Sequence, residues 1–392
     1  MDFSFTQQQE KFRQEIKNFF ESQEIQKILR EIKSQNVDFD ARRIYRLLGE
    51  QGLLAPNWSK EYGGLDKSFY EAAIVGEEMS NYGVPEALYI LSVFIVGNLL
   101  NLSATDKQKQ RFLKKIAKGI EFVTILYSEP KFGSDLSSIE TKATLNKDGQ
   151  YSISGRKVWS MKTHIADYGL CAARTSNLNS KYDGLTLFMV PLKDKAVKLN
   201  RIESLSDESL YEVILNEVIV SEEDIIGELN KGWSIMNKAL SVERTGLDYY
   251  IRAKRWFNSI RQREIEYDLN IDNNKLIDLM RLDCKLDVSS LLTYKVLGEL
   301  QTTSGVDESL AAISKWYASE LACEVVWKGH ELGGIISCLR EDHGYNPLYG
   351  SLESAYRETP GLTLSAGTSE MLLQSISKFR LELDNRGEKI GN

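Results

Sequence analysis

The sequence has few of the residues that build metal centres and disulfide frameworks. It contains four cysteines, Cys171, Cys284, Cys323 and Cys338, and only three histidines in 392 residues. The cysteines form no CxxC pair, and their spacing fits neither a zinc site nor a disulfide framework. The histidines are too scattered to indicate a metal centre. Buried thiols in a reducing compartment account for the cysteines.

The sequence also lacks a long apolar run, a signal peptide and a basic cluster. The longest apolar run, Ala87–Val96, covers about ten residues, half of a membrane span, so it predicts a buried helix. Residues 1–6 show no secretory pattern. The net charge of −7 gives no reason to expect nucleic acid as a partner. We therefore expect a cytoplasmic protein without a membrane span.

Three regions with different periodicity predict an α+β fold. Residues 1–120 have helical periodicity and predict an N-terminal helical domain. Residues 121–228 contain strand patterns with no helices between them, which predicts a middle domain that is an antiparallel β-barrel or sandwich. Residues 229–392 contain long helical segments and predict a C-terminal four-helix bundle.

Local signals support these three regions. Apolar residues on one face mark the first helix, namely Phe12, Ile16, Phe19 and Phe20. The residues 146–149 separate two strand patterns and predict a β-hairpin. Four long periodic segments mark the last region, at 231–268, 273–303, 307–332 and 367–383.

The stretch from Tyr127 to Asp135, YSEPKFGSD, follows a β-type run that begins at Phe122. Pro130 cannot donate to a sheet ladder, so the strand is expected to end there, and Gly133 permits a close backbone approach. Ser128, Ser134 and nearby N–H groups would then face outward from a strand end. This arrangement suits the edge of a flat cofactor, and a polar turn after a strand is the alternative.

Taken with the layout, eight stretches that occur in the family's order resemble the acyl-CoA dehydrogenase family over essentially the whole chain. They are Tyr127–Asp135, the early loop Asn57–Gly64, the strand Ser154–Trp159, the pair of stretches Gly227–Trp233 and Val242–Arg244, and the closing stretches Leu332–Gly334, Tyr356–Arg357 and Ala366–Glu370. Each stretch is weak alone, and their shared order makes the resemblance specific.

The resemblance implies a bound FAD. It places Leu126, Tyr127 and Ser128 along the flavin edge and Trp159 beside the isoalloxazine ring, with a core aromatic as the alternative for Trp159. Thr368 and Glu370 would lie near the adenosine portion, at a helix start that suits phosphate. The remaining residues that the resemblance assigns to the cofactor are Ser134, Ser160, Met161, Lys254, Phe257, His330, Gly333 and Gly334.

The implied reaction is α,β-dehydrogenation of an acyl thioester, in which a carboxylate removes the α proton. Most family members carry this glutamate just before the Gly-Thr of the last motif, where this chain has Ala366. The isovaleryl- and long-chain-type members instead use a Glu-Arg pair on the first bundle helix, and this chain has Glu243-Arg244. The two positions agree, so the resemblance implies that Glu243 is the base.

Three alternatives stay open for Glu243: a surface charge, a partner for Arg244 or Lys238, or a site that has lost its base. The thioester oxygen would accept hydrogen bonds in an oxyanion-hole arrangement that includes the N–H of Ala366 or a neighbour. The residues that the resemblance assigns to the substrate are Ser134, Ser241, Arg244, Ala366 and Gly367.

Several positions depart from the family pattern. Ser160-Met161 replaces Ile-Thr, and methionine is only a weak acceptor; in a regular strand Ser160 would point away from Met161's side. In the family motif Arg-x-x-Phe-Gly, this chain has Lys254 in place of the arginine and Asn258 in place of the glycine. Lysine lacks the bidentate fork of arginine. His330 replaces glutamine, either as a cofactor contact or as a satisfied interior histidine. Residues 336–345 form an insertion.

The resemblance implies as partners an acyl thioester of CoA or of an acyl carrier protein, and an electron acceptor such as an electron-transfer flavoprotein. It also implies a homodimer or homotetramer, with Trp256, Phe257 and Trp327 as anchor candidates. Two alternative functions remain. One is a flavin-dependent monooxygenase or oxidase, which would lack the carboxylate base. The other is a non-catalytic partner subunit that binds FAD weakly.

Overall fold

A computed structural model describes residues 4–33, 40–176, 180–266, 273–302, 306–340 and 350–383. In this part the chain forms two compact units. One contains residues 7–204 and 208–242, and the other contains the N-terminal residues up to Thr6, the segment 205–207 and the chain from Glu243 onward. The three predicted regions therefore remain visible along the chain, but the first two pack into one unit.

The first unit contains the helices of the predicted helical region 1–120 and one helix from the predicted region 229–392. They are α1 (Gln7–Glu21), α2 (Gln23–Lys33), α3 (Arg42–Glu50), α4 (Phe69–Asn81), α5 (Ala87–Tyr89), which continues through a π-helical segment (Ile90–Gly97) into α6 (Asn98–Ser103), α7 (Asp106–Ala117) and α8 (Gly232–Glu243). A short 3-10 turn covers Lys60–Tyr62.

The predicted apolar face of α1 is confirmed, because Phe12, Ile16, Phe19 and Phe20 are all buried. Fully burying one such side chain contributes about 1.5–3 kcal/mol, so this face is enough to hold a polar helix against the core. The run Ala87–Val96 is buried as predicted, within α5 and the π-helical segment. Among the described helices none combines the length and apolarity that a bilayer crossing needs.

The early loop reaches into this helical core through Trp58, which is buried and donates from Nε1 to Asn98 Oδ1 at 3.1 Å. Gly97 leaves the space for its ring, since a Cβ there would lie 2.0 Å from Trp58 Cζ2. Ser92 then accepts from the Val123 N–H at 2.9 Å and fixes the start of the first strand.

The sheet of the first unit contains eight strands in the described part. They are β1 (Val123–Leu126), β2 (Lys142–Leu145), β3 (Tyr151–Met161), β4 (Tyr168–Arg174), β5 (Leu185–Pro191), β6 (Val197–Ile202), β7 (Leu210–Val220) and β8 (Ile225–Ile226). Their order is β6-β7-β3-β2-β4-β5-β8, and β1 pairs with β4. The predicted β2–β3 hairpin is confirmed, with Leu145 opposite Tyr151.

The prediction of a purely antiparallel sheet is wrong at β4, inside this order. β1 runs parallel to β4, with Val123 opposite Tyr168, and β2 meets β4 in parallel at Lys142 and Arg174. A parallel pair needs a crossover connection, which is usually a helix. Here the β2–β3 hairpin, and not an α-helix, connects β1 to its parallel partner β4. The absence of α-helices in this region therefore did not exclude parallel pairing.

The second unit is helical, as predicted, but it is not a simple four-helix bundle. Its helices are α9 (Leu247–Glu266), α10 (Asn273–Glu299), α11 (Glu308–Gly333), α12 (Gly350–Leu362) and α13 (Ser369–Arg380). α11 packs against α9, α10, α12 and α13. The segment predicted as one helix over 231–268 is interrupted after Glu243, and α12 was not predicted.

The segment 205–207 belongs to this unit because Arg357 on α12 holds it. Arg357 Nη1 donates to the Leu205 carbonyl at 2.6 Å and to Asp207 Oδ1 at 2.7 Å. Arg357 Nε also donates to Glu353 at 2.8 Å. The motif Tyr356-Arg357 therefore has a structural function within this unit.

The four cysteines are free, as predicted. Cys171 and Cys323 are buried, but Cys284 and Cys338 are exposed, so the expectation that all four are buried is wrong for two of them. No group of His, Cys, Asp and Glu in the described residues could hold a metal ion.

Candidate active site

Most of the residues predicted to bind cofactor and substrate fall into two clusters, one in each unit. The strand cluster contains the end of β1, the turn up to Asp135 and the second half of β3. The helix cluster contains the α8–α9 turn, Lys315 on α11, and the turn that precedes α13.

A buried ion pair supports the strand cluster. Lys157 is 0% exposed, and its Nζ donates to Glu129 Oε1 at 2.9 Å and to the Tyr127 carbonyl at 3.0 Å. Glu129 also accepts from the backbone N–H groups of Glu140 (2.7 Å) and Thr141 (2.9 Å). All these bonds converge on Tyr127–Glu129, so they fix the backbone where β1 ends.

The charge of Lys157 and several hydrogen bonds together keep Glu129 ionised. Burial alone would raise the pKa of Glu129, but the positive charge of Lys157 and hydrogen bonds from Thr141 and Glu140 hold the pKa below its ordinary value. A carboxylate whose oxygens are all bonded in this way has a structural role.

Trp159 occupies an irregular position in β3. The pairing of β3 with β7 shifts register between Lys157 and Ser160, and Trp159 within this bulge has a φ of +62°. A φ in this range strains a non-glycine residue, and bulges often re-aim a side chain near functional sites. The indole is 58% exposed. The alternative that Trp159 is a core aromatic is therefore wrong.

Ser160, which follows the bulge, points inward, in line with the expectation that it points away from Met161's side. Ser160 is buried, and its Oγ donates to the Ile125 carbonyl at 2.6 Å. The Met161 carbonyl accepts from Thr124 Oγ1 at 2.7 Å. Both residues thus tie β3 to β1.

The other predicted residues of this cluster differ in exposure. Leu126 is fully buried in the hydrophobic core of the eight-stranded sheet, Tyr127 is buried and Ser128 is half-buried. Ser134 is exposed. Next to it, hydrogen bonds from Ser137, Ser138 and Lys181 lower the pKa of Asp135 to about 2.

The helix cluster begins where α8 ends at Glu243. Gly246 has a φ of +85°, and a Cβ there would lie 2.6 Å from Ser314 Oγ. Ser314 Oγ donates to the Thr245 carbonyl at 2.7 Å, which ties this turn to α11. The predicted continuous helix breaks here because a glycine is needed for close packing on α11.

Arg244 connects this turn to the predicted substrate residues. Its Nε donates to the Ala366 carbonyl at 3.2 Å, and its Nη2 would lie 3.3 Å from a Cβ at Gly367. Ala366 and Gly367 both have positive φ values, +55° and +98°. The N–H groups of Ala366 and Thr368 have no acceptor among the described residues.

Thr368 then begins α13 as its N-cap, and its side chain accepts from the Met371 N–H. Glu370 is exposed in the first turn. Hydrogen bonds from its own backbone N–H and from Thr368 lower the pKa of Glu370, which keeps this helix start negatively charged.

The carboxyl of Glu243 has no hydrogen-bond or ion-pair partner among the described residues. Burial raises the pKa of Glu243, while the positive charges of Arg244 and Lys315 lower it in part and Asp248 adds to the rise. Burial likewise lowers the pKa of Arg244. An unbonded carboxyl with a raised pKa is the property expected of a general base near neutral pH.

Two residues of the helix cluster were not predicted from the sequence. Lys315 is 0% exposed, and its Nζ donates to the carbonyls of Leu362 and Gly367 at 3.0 Å each. Tyr249 is buried, and its hydroxyl shares a hydrogen bond with Ser365 Oγ at 3.0 Å. Small residues surround Lys315 at helical spacing in the sequence, Ala311, Ala312, Ala318 and Ala322, and a lone lysine on such a face was the available signal.

The remaining predicted cofactor residues lie elsewhere on α9 and α11. Lys254 donates to the Tyr250 hydroxyl at 2.9 Å, and Phe257 is buried. Both ring nitrogens of His330 are engaged, with the Leu352 carbonyl at 3.1 Å and Ser337 Oγ at 2.8 Å. Gly333 and Gly334 end α11, and Gly334 has a φ of +56°.

Two further expectations need comment. The side chain of Ser241, predicted to contact substrate, lies outside the described residues. Trp256 and Phe257 are buried within the chain, so they cannot anchor another subunit, whereas Trp327 is exposed.

Comparisons with known proteins agree with this architecture. Family models for the acyl-CoA dehydrogenase N-terminal, middle and C-terminal domains match residues 6–120, 124–218 and 230–381, in that order. These matches cover most of the chain. The protein therefore has the acyl-CoA dehydrogenase fold, and the chain belongs to the acyl-CoA dehydrogenase family.

Individual relatives match over nearly their whole length. The acyl-CoA dehydrogenase FadE26 of Mycobacterium tuberculosis is 27% identical over 401 residues, which cover 98% of this chain and 99% of FadE26. A short-chain specific acyl-CoA dehydrogenase of Clostridium acetobutylicum is 27% identical and covers 95% of this chain and 97% of its own. The ChsE4–ChsE5 complex from Mycobacterium tuberculosis superposes with a TM-score of 0.85 at 26% identity, over 98% of this chain and 100% of the matched one.

Proposed function

We propose that the protein is an FAD-dependent acyl thioester dehydrogenase in which Glu243 removes the α proton. The observation that carries this proposal is the composition of the helix cluster. Arg244 joins an unbonded carboxyl, that of Glu243, to a turn whose Ala366 N–H has no acceptor among the described residues. A base and a free backbone donor are the two groups that the removal of an α proton from a thioester requires.

Each group has a defined task in this proposal. The α proton of a thioester is far too weakly acidic for a free carboxylate, so the thioester oxygen needs hydrogen-bond donors. The Ala366 N–H supplies one, and the left-handed turn holds it in place. Glu243 accepts the proton on a carboxyl oxygen, and its raised pKa brings it closer to the pKa that efficient proton transfer needs.

The strand cluster fits a flavin. Trp159 offers an exposed indole in a strained bulge, and the Glu129–Lys157 pair fixes the backbone at the end of β1. We assign the flavin-binding groups to Tyr127, Ser128 and Trp159. FAD would supply the acceptor for the β hydride. Ser128 is half-buried and so remains accessible to a ligand, whereas the buried Ser160 bonds to β1 and has a structural role.

The finer assignments are proposals of the same kind. The substrate carrier is CoA or an acyl carrier protein, and the electron acceptor is an electron-transfer flavoprotein. We also propose a homodimer or homotetramer, because α10 exposes a set of large apolar side chains: Leu276, Ile277, Met280, Val288 and Leu291. Light scattering of the purified protein tests the assembly.

The function is tested by anaerobic mixing of the purified yellow protein with a panel of acyl-CoA and acyl-carrier thioesters, followed by flavin absorbance. We expect at least one thioester to bleach the flavin. Glu243→Gln should keep FAD bound and slow bleaching by about 10²–10⁴-fold, because a positioned general base contributes that much.

The matched control is Glu324→Gln, which neutralises an exposed glutamate paired with Lys285 in the same unit. This variant should bleach at the wild-type rate. If Glu243→Gln also bleaches at close to the wild-type rate, Glu243 is not the base. A colourless wild-type protein would instead favour a partner subunit without a cofactor.

A further inference from the structure

The turn before α13 is held by two cations at consecutive carbonyls. The Ala366 carbonyl accepts from Arg244 Nε, and the Gly367 carbonyl accepts from Lys315 Nζ. Lys315 also binds the Leu362 carbonyl at the end of α12. Because an alanine at positive φ costs free energy, the turn keeps this shape only if surrounding groups enforce it. Lys315 bonds both ends of the segment 362–367.

Burying a charged lysine at position 315 costs free energy of folding. Its side chain is fully buried on α11. The ammonium donates hydrogen bonds to two backbone carbonyls and lies over the Tyr249 ring, with 4.9 Å between Nζ and the ring centroid. No carboxylate among the described residues lies within ion-pair distance of it. An apolar side chain of similar length would avoid the cost of burying a charge. Stability alone therefore does not explain a lysine at this position.

The charge of Lys315 acts on Glu243. The ionisable groups around Lys315 are Glu243, Arg244, Glu320 and Cys323, while Asp248 and Arg244 act on Glu243 from the α8–α9 turn and α9. Lys315 and Arg244 are the two cations that favour the carboxylate form of Glu243. Lys315 is thus linked both to the turn that carries the Ala366 N–H and to the charge of the base.

We propose that Lys315 is a positioning residue of the dehydrogenase: it fixes the segment 362–367 so that the Ala366 N–H meets the thioester oxygen. The positive charge of Lys315 also favours the carboxylate form of Glu243. This inference rests on the proposed function, because it presupposes that Glu243 removes a proton. It adds a residue that neither touches the substrate nor transfers the proton.

The first test compares the full-length, flavin-loaded wild type with Lys315→Met, which keeps the length of the side chain and removes the charge and donors. The rate of flavin bleaching is measured against pH with the best acyl-CoA of the panel. In Lys315→Met the acidic limb of the profile should move to higher pH, and the rate below neutral pH should fall about tenfold for each unit of that movement. Lys285→Met, an exposed lysine of the same unit, is the matched control and should keep the wild-type profile.

A second readout does not depend on turnover. In the Glu243→Gln background, calorimetry measures the Kd of the same acyl-CoA with and without Lys315→Met. A misplaced Ala366 N–H should weaken binding about fivefold, the value of one ordinary hydrogen bond. An acidic limb at its wild-type pH together with an unchanged Kd overturns the proposal, even if the overall rate falls.

Lys315→Arg decides the case in which Lys315→Met does not fold, since arginine retains the charge and can donate to both carbonyls. Its acidic limb should stay at the wild-type pH, and a limb that moves overturns the proposal. Failure of the proposed function looks different, because then the wild type itself is not bleached by any thioester.

Discussion

Glu129 is buried and Glu243 is half-buried, and the charge of a buried lysine acts on each of them, but their environments give them opposite properties. Glu129 receives hydrogen bonds from Lys157 and from two backbone N–H groups, and these hold its pKa below the ordinary value. Glu243 has no bonded partner among the described residues, and burial raises its pKa. The comparison shows that a directly bonded cation together with backbone hydrogen bonds, rather than burial alone, separates a structural carboxylate from one available as a base.

The largest effect is expected from breaking the bonded pair. Lys157→Met leaves Glu129 buried without its cation, and such a change costs about 3–5 kcal/mol of the free energy of unfolding. Urea denaturation of the purified protein measures it. A loss below about 1 kcal/mol would mean that the Glu129–Lys157 pair does not hold the strand cluster together.

A somewhat smaller change in the free energy of unfolding is expected from the charge of Lys315. Burial lowers the pKa of Lys315 to about 8 from an ordinary value of 10.5. Between these values the unfolded chain binds more protons than the folded one, so stability rises with pH, by at most about 3 kcal/mol. Lys315→Met should lack this rise. Denaturation of both proteins between pH 7 and 10.5 provides the comparison, and parallel curves would contradict a buried charged lysine.

The two glutamates should give stability changes of opposite sign with pH. Since the folded pKa of Glu129 is lowered, its ionisation stabilises the fold above the unfolded pKa, and this contribution is lost as pH falls. Since the folded pKa of Glu243 is raised, its contribution favours low pH and is lost as pH rises through the folded pKa.

Neutral variants of the two residues test this difference. Glu129→Gln should therefore be less stable than the wild type at pH 7, and Glu243→Gln should be more stable. The difference for Glu243→Gln should shrink as pH falls from 7 toward about 4.5, and the difference for Glu129→Gln should shrink only below about pH 4.5. Thermal midpoints across this range measure the effect. A destabilised Glu243→Gln at pH 7 would place Glu243 among the structural carboxylates.

The smallest effect is expected at the exposed Lys285–Glu324 pair. Exposed ion pairs contribute about 0.2–1 kcal/mol, so Glu324→Gln should shift the free energy of unfolding by no more than that. The same urea measurement applies. A larger loss would mean that charge removal alone destabilises this unit and would weaken the interpretation of the Lys315 variants.

The sequence by itself determined the family, the order of helical, strand and helical regions, and the positions of most elements. Apolar periodicity is local, so it located the buried face of α1 and the β2–β3 hairpin correctly. The resemblance to the family, and not the periodicity, indicated Glu243 and Ala366 as a complementary pair of positions, and their roles stay predictions.

Only the tertiary structure decided which groups bond to which. The parallel pairing of β1 with β4, the bulge that exposes Trp159, the bond from Ser160 to β1, and the burial of Lys315 beneath the Leu362–Gly367 segment all join residues far apart in the chain. Local sequence patterns do not predict such contacts, because the contacts depend on how the elements pack. For the same reason a glutamate that is bonded and one that is not look alike in the sequence.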